Sequence, residues 1–231
     1  MTDFVGAYEL AHEKPDKKYS MLPTMIHLCS PLQNNEVIEL GCGTGFFTKP
    51  LAISAKHVLA IDHCTKALAD APIIPNVTYR EANIFDYTYP NCDIVCAPYV
   101  LNYASSLKEL EQLISKLSAS LNREGKIVSI VDLPKNLLHD NRRFGSVKKI
   151  KSFEDEQKID IRLFNDDKEI FSFESTYFAP QTLERVCLQN GLSPEWHLPF
   201  VSKKGIERFG SSFWQDYIHN CEVGYFVAKK F

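Results

Sequence analysis

Short apolar runs alternate with helix-like stretches along the first half of the chain. Glu36 to Leu40 reads as a strand and Phe46 to Ile53 as a helix. "HVLAID" (57–62) is a second strand, followed by a short helix in "TKALADA" (65–71). "NVTYREA" (76–82) and "CDIVCAP" (92–98) supply the third and fourth strands, with Pro72 and Pro75 as punctuation before the third. From Ser106 to Leu121 the residues Leu107, Leu110, Leu113, Ile114, Leu117 and Leu121 recur at helical spacing. Gly125 then breaks the pattern, and "KIVSIVDL" (126–133) is a fifth strand. Strands that alternate with helices predict a parallel sheet covered on both faces.

The period changes after Pro134. "GSVKKIKSFE" (145–154), "KIDIRLF" (158–164) and "KEIFSFESTYF" (168–178) read as antiparallel strands, the last two joined by a turn at Asn165-Asp166-Asp167. "PQTLERVCLQNG" (180–191) is helical again, with Pro180 near its start and Gly191 past its end. "LSPEWHLPFV" (192–201) and "CEVGYFVAKKF" (221–231) are two final strands, with the partly helical "KGIERFGSSFWQDYI" between them. The prediction is a single α/β domain over 1–231: a doubly wound, seven-stranded, mostly parallel sheet with a β-rich insertion at 134–178 after the fifth strand. Such an insertion sits where open sheets bind ligands, over the carboxyl ends of the strands.

Composition narrows the picture. A net charge of −3 gives no general pull toward nucleic acid or anionic membrane. No apolar run reaches the length of about 18 residues that spans a bilayer. The first twenty residues lack the apolar stretch of a secretory signal. Seven cysteines, with no C-x-x-C pair, fit a reducing cytoplasm better than a disulfide framework or a zinc site.

"VIELGCGTGFF" (37–47) carries the chemistry. Its spacing is Glu39-x-Gly41-x-Gly43-x-Gly45, one residue short of the dinucleotide G-x-G-x-x-G in its last gap, and no P-loop sequence is present. Asp62 closes the second strand 21 residues after Gly41, where a carboxylate can accept both hydroxyls of a ribose. Together these point to a nucleoside ligand.

The E-x-G-C-G-T-G motif after a strand, with an acid closing the next strand, resembles the class I S-adenosylmethionine-dependent methyltransferases. The resemblance covers about the first 133 residues and implies that the last strand inserts antiparallel between its neighbours. It implies that Gly41, Cys42, Gly43 and Gly45 approach the methionine part of S-adenosyl-L-methionine, and that Glu39 braces that loop and the ammonium group. Asp62 would take the ribose hydroxyls, and His63 would flank the adenine. Asn83 stands where the family often has an acid for the adenine amine, with Ile84 beside it. The segment 1–30 would fold over the cofactor as a lid, bringing Tyr8 or Tyr19, with Tyr19 the preferred candidate.

After the fourth strand comes Cys96-Ala97-Pro98-Tyr99, not the [DN]-P-P-[YF] of methyltransferases acting on base or glutamine amines. "YVLNYASS" and the C-terminal order of Tyr, helix, Gly, Trp and late Phe-Trp resemble a small-molecule branch that includes the toxoflavin-pathway N-methyltransferase. Pro98 and Tyr99 would then face the cofactor. Asn102, Tyr103, Tyr177 and Trp214 would line an acceptor pocket. Tyr99, Asn102 and Asp132 are the candidates for a catalytic role. No His is paired with a visible carboxylate, and no metal-ligand cluster stands out.

The expected activity is direct methyl transfer to nitrogen or oxygen of an aromatic or heterocyclic small molecule, leaving S-adenosyl-L-homocysteine. Two rival readings remain. The basic stretch 142–151 could contact RNA phosphates, or the chain could bind S-adenosylmethionine without transfer.

Overall fold

The computed structural model describes residues 4–231, the side chain of Asp216 excepted; residues 1–3 of the expected lid segment lie outside the described residues. Two helices open the chain, α1 (Phe4–His12) and α2 (Leu22–Cys29), joined through a π-helical turn at Lys17–Met21. The alternating core follows as β1 (Glu36–Leu40), α3 (Thr48–Ala52), β2 (His57–Asp62), α4 (Thr65–Ala69), β3 (Val77–Glu81), β4 (Cys92–Pro98), α5 (Leu107–Ser120) and β5 (Leu121–Asp132). β6 (Leu138–Asn141), β7 (Ser146–Ile150), β8 (Lys158–Asn165) and β9 (Lys168–Thr176) form a separate antiparallel sheet. The chain closes with α6 (Pro180–Gln189), β10 (Leu192–His197), α7 (Lys203–Phe209), α8 (Ser211–His219) and β11 (Val223–Lys230).

The main sheet has seven strands in the order β10-β11-β5-β4-β1-β2-β3. β1 pairs in parallel with β2 and β4, while β11 runs antiparallel between β5 and β10. The period-2 alternation of the strands explains the two-sided burial. Ile38 and Leu40 face α5 and α6, against Leu110, Leu113, Leu117, Leu183 and Val186. Val37 points the other way, with Val58, Ile94, Val128 and Ile130, onto Met21, Met25 and Leu28 of the N-terminal segment and Trp214 of α8. A third apolar cluster packs Ala7 and Ala11 of α1 on Ile159, Ile161 and Leu163 of β8. The N-terminal helix therefore rides on the insertion.

Several boundaries differ from the sequence pattern. Residues 43–47 are turns, so α3 begins at Thr48, not at Phe46. Gly125 does not separate helix from strand. α5 ends at Ser120, the chain extends at Leu121, and Gly125 lies inside β5 after Glu124 at φ 67°. A Cβ on Gly125 would stand 2.9 Å from the carbonyl oxygen of Asn122. β10 stops at His197, two residues before Pro199, which has no N–H to continue the ladder. β6 is absent from the sequence reading: it has four residues, and its Leu138 is exposed. The segment before β11 resolves into α7 and α8, parted by Gly210 at φ 79°.

Candidate functional site

The carboxyl ends of β1, β2 and β4 meet beneath the glycine loop. Gly41, Gly43 and Gly45 all have positive φ (67°, 53° and 89°), a region costly for residues with a Cβ. Gly43 matters most: a Cβ there would meet nothing within 4 Å, so its face opens onto free space, not onto protein. The N–H groups of Gly41 and Cys42 donate to the carbonyl of Ile61 (2.8 and 3.1 Å), anchoring the loop to β2. Asp62 completes the anchor. Its Oδ2 accepts from the N–H of Gly43 and its Oδ1 from that of Cys64, both at 2.8 Å. A carboxylate has about four acceptor sites, so two remain.

Glu39 lies fully buried under the loop. Thr48 Oγ1 donates to its Oε2 at 2.6 Å, while its Oε1 has no partner. Burial pushes its carboxyl up to about 8. This has a consequence for stability. In the unfolded chain the group ionises near 4.5, whereas in the fold it keeps its proton to about 8. Between those values the unfolded state binds fewer protons, so stability falls as pH rises. We expect urea midpoints of the ligand-free protein to drop from pH 5 to pH 8, by on the order of a few kcal/mol in stability. Glu39→Gln should flatten that slope, and a slope retained in the variant would contradict the assignment. Burial likewise pushes the Cys42 thiol up.

Around the loop the expected contacts divide. His63 is exposed, 3.6 Å from Asp62. Asn83 stands at the end of β3, next to Ala82, whose N–H donates to the carbonyl of Asp62. Its carboxamide closes a local turn: Oδ1 accepts from the N–H of Phe85 (3.1 Å) and Nδ2 donates to Asp86 (2.9 Å). The carbonyl of Ile84 accepts from the Tyr89 hydroxyl. The Asn83 oxygen expected to accept from the adenine amine thus already takes one hydrogen bond within its own turn.

The turn after β4 is left-handed at Tyr99 (φ 62°), whose N–H donates to the carbonyl of Ile130 at 2.7 Å. Its hydroxyl donates to Met21 Sδ at 3.5 Å, and its ring is half-buried. Asn102 is a correction. It is buried, its Oδ1 accepts from the N–H of Asp132 (2.8 Å), and its Nδ2 donates to the carbonyl of Thr176 (2.8 Å). Both ends of the amide are used for structure, so it does not face an acceptor. Asp132 is corrected in the same way. It is buried, with Lys148 Nζ 2.6 Å from its Oδ1 and Ser175 Oγ donating to its Oδ2 at 3.2 Å. Such a carboxylate is not a free base. Tyr103 remains at the rim, 43% exposed, its hydroxyl sharing a 2.9 Å hydrogen bond with that of Tyr8. Partial removal of the two hydroxyls from water raises both phenols above their usual range.

Residues 38–129 match the protein-family model described as "Methyltransferase domain". Over that segment the chain is similar to a methyltransferase domain. A curated relative, a phosphoethanolamine N-methyltransferase from Triticum aestivum, is 31% identical over 114 residues, covering 46% of this chain and 22% of that protein. The chain thus spans about a fifth of that relative's length. Two solved structures share the fold. One is the S-adenosylmethionine-bound amino pentose methyltransferase from Micromonospora echinaspora (14% identity, TM-score 0.60, 97% of this chain and 95% of that one). The other is the sugar N-methyltransferase from Streptoalloteichus (15% identity, TM-score 0.62, 91% and 85%). At these identities the likeness is one of fold, the Rossmann-like methyltransferase fold with an antiparallel insert.

The remaining candidates lie outside the methyltransferase loop cluster. Trp214 is buried on α8, its Nε1 donating to the carbonyl of Gly205 (2.9 Å) and its ring among Phe144, Phe213 and Tyr217. It is core, not pocket. Tyr177 is also buried, against Phe153 at 6.0 Å, in the cluster under the insertion. Tyr19 is held away from the loop by α7: its hydroxyl accepts from Arg208 (2.9 Å), and its ring meets Phe209 at 5.7 Å. Of the two tyrosines in the lid segment, Tyr8 is the one joined to the rim.

Sequence reasoning gave His12 no role. Its ring stacks on Phe46 of the glycine loop at 4.1 Å and 9°, and burial with Lys17 nearby lowers it to about 4. A cavity of about 380 Å³ lies between α1 and the loop, lined by Glu9, His12, Glu13, Thr44, Phe46 and Lys49 among others. Lys148 was also missed, although "SVKKI" alternates and places it on the inward face with Ser146 and Ile150. The basic stretch 142–151 does not form one charged face. Arg142 pairs with Asp140, Arg143 lies 4.0 Å over the Phe213 ring, and Lys148 is buried. Among the described residues, no group of three or more His, Cys, Asp or Glu side chains could hold a metal ion.

Proposed function

We propose that the chain is an S-adenosylmethionine-dependent methyltransferase acting on a nitrogen of a small molecule. The observation that carries this is the polar vacancy under the glycine loop: a buried Glu39 oxygen without a partner, an open face at Gly43, and Asp62 with lone pairs to spare. These fit an ammonium, a close backbone contact and a pair of ribose hydroxyls. Asp62 would hold the ribose and Glu39 the ammonium. Tyr8 and Phe46 would cover the site from the lid side.

When bound, S-adenosylmethionine supplies a methyl group on a cationic sulfur that is already activated. The chain's own residues then need only align the acceptor and exclude water. Asp132, at the end of β5, is held by Lys148 and Ser175 and so offers no general base for a hydroxyl. A nitrogen with a free lone pair needs none. The sugar N-methyltransferase and the phosphoethanolamine N-methyltransferase, both named for transfer to nitrogen, support this as well. Aromatic rings at Tyr8, Tyr103 and Phe173, the last 5.8 Å from the Tyr8 ring, suit an acceptor with an aromatic or heterocyclic ring. RNA is the weaker partner, given the dispersed charge of 142–151. No described helix is long and apolar enough to cross a membrane, and the seven unpaired cysteines fit a cytoplasmic location. Calorimetric titration of the wild type and Asp62→Ala with S-adenosylmethionine tests the proposal.

A further inference from the structure

Lys148 belongs to the insertion, on β7, yet its ammonium lies against the main sheet. It stands 2.6 Å from Asp132 Oδ1 at the end of β5 and 3.3 Å from Glu222 Oε1, just before β11. Around this pair the groups are fully placed. Ser175 of β9 donates to Asp132 Oδ2, Ser146 donates to Glu222 Oε1 at 2.8 Å, and His139 Nε2 of β6 lies 3.1 Å from Glu222 Oε2. All of these residues are buried.

A buried charge cluster is a poor device for stability alone, because apolar residues of similar volume often serve as well or better. What it does supply is one geometry. Here that geometry reaches the turn at 99–103. The backbone N–H of Asp132 donates to Asn102 Oδ1, and Asn102 Nδ2 reaches Thr176 at the end of β9. The Tyr99 ring lies 5.9 Å from the same Lys148 ammonium, and Tyr103 closes the turn's far side on Tyr8. β5, β7 and β9 are therefore all fastened to this turn.

We infer that Lys148 is a positioning residue for methyl transfer: acting through Asp132 and Asn102, it fixes the 99–103 turn that presents the acceptor to the cofactor. This rests on the proposed function, because that reading puts the acceptor beside the turn. Lys148 touches no reacting atom.

The test pairs Lys148→Met with Asp132→Asn, which removes one charge of each sign and leaves Glu222 facing His139. Lys148→Arg, which keeps the charge, runs in parallel. Hydrogen exchange is followed by mass spectrometry, with cofactor affinity and the kcat and KM for an amine acceptor. In the paired variant we expect faster exchange confined to residues 99–104, with wild-type affinity for S-adenosylmethionine. kcat should fall on the order of tenfold to a hundredfold, as for reactants held slightly out of line. Unchanged exchange at 99–104, or acceleration spread evenly over the chain, overturns the inference. If the paired variant does not fold, the same two outcomes in Lys148→Gln, which removes the charge and keeps a polar group, decide it, with Lys148→Arg expected to stay near wild type. Exchange needs no substrate, so its result stands apart from whether methyl transfer is found at all.

Discussion

Asp62→Ala should lower the affinity for S-adenosylmethionine about a hundredfold while leaving the protein folded. Hydrogen bonds to a charged group contribute about 1.5–3 kcal/mol each. Two ribose hydroxyls on one carboxylate therefore amount to at least about 3 kcal/mol, and each 1.4 kcal/mol is tenfold in affinity. A second loss adds to the first. The N–H of Gly43 loses the oxygen that holds it at 2.8 Å, so the loop is less well set before binding. Asp62→Asn keeps one acceptor oxygen and should fall between the two. Heats of titration read all three proteins directly. Equal affinity in the wild type and the alanine variant would remove the ribose assignment.

Asn102→Ala should cause the largest loss of stability among single changes at the site. It leaves the N–H of Asp132 and the carbonyl of Thr176 without partners in a region shut off from water. An unsatisfied buried group costs about 1–3 kcal/mol, so the pair costs roughly 2–6 kcal/mol. For a chain of this size each kcal/mol lowers Tm by about 2–4 °C. A fall of about 4–24 °C in a calorimetric scan is expected. Tyr103→Phe is the contrast. It removes one hydrogen bond at an exposed rim and should move Tm by no more than about 2 °C. A shift for Asn102→Ala as small as that would show that the amide is not the fastening described above.

The core of the fold was legible because it rests on short-range regularities. The strands of 36–40, 57–62 and 92–98 are apolar runs bounded by Gly, Pro or acid, and the stripe from Leu107 to Leu121 has helical spacing. The antiparallel pairing of β11 between β5 and β10, implied by the family resemblance, is also found. The boundaries that moved are those set by backbone geometry. Gly125 reads as a break in any local pattern, yet it serves an irregular strand whose partner β4 shifts register between Cys92 and Ile94.

At the site, motif position proved a weaker guide than burial. Asn102 and Trp214 have the polar and aromatic character of pocket residues. Their partners decide otherwise, and these lie far off in sequence: Thr176 is 74 residues from Asn102. Tyr19 fell to the same cause, because Arg208 is 189 residues away. Lys148 is different. Its inward place follows from the alternation in "SVKKI", but a lysine is so seldom fully buried that charge outweighed period. Glu39 is intermediate: its place before the glycines is visible in the motif, whereas its missing partner shows only in three dimensions.

The measurement that bears most directly on the proposed activity is transfer itself. The protein is incubated with S-adenosylmethionine and matched pairs of small amines and alcohols, with and without aromatic rings, and products are read by mass spectrometry. The expected result is an amine heavier by one methyl group, an equal amount of S-adenosylhomocysteine, and no product from the matching alcohol. S-adenosylmethionine bound and recovered intact beside every amine, or methylation of the alcohols instead, would contradict it.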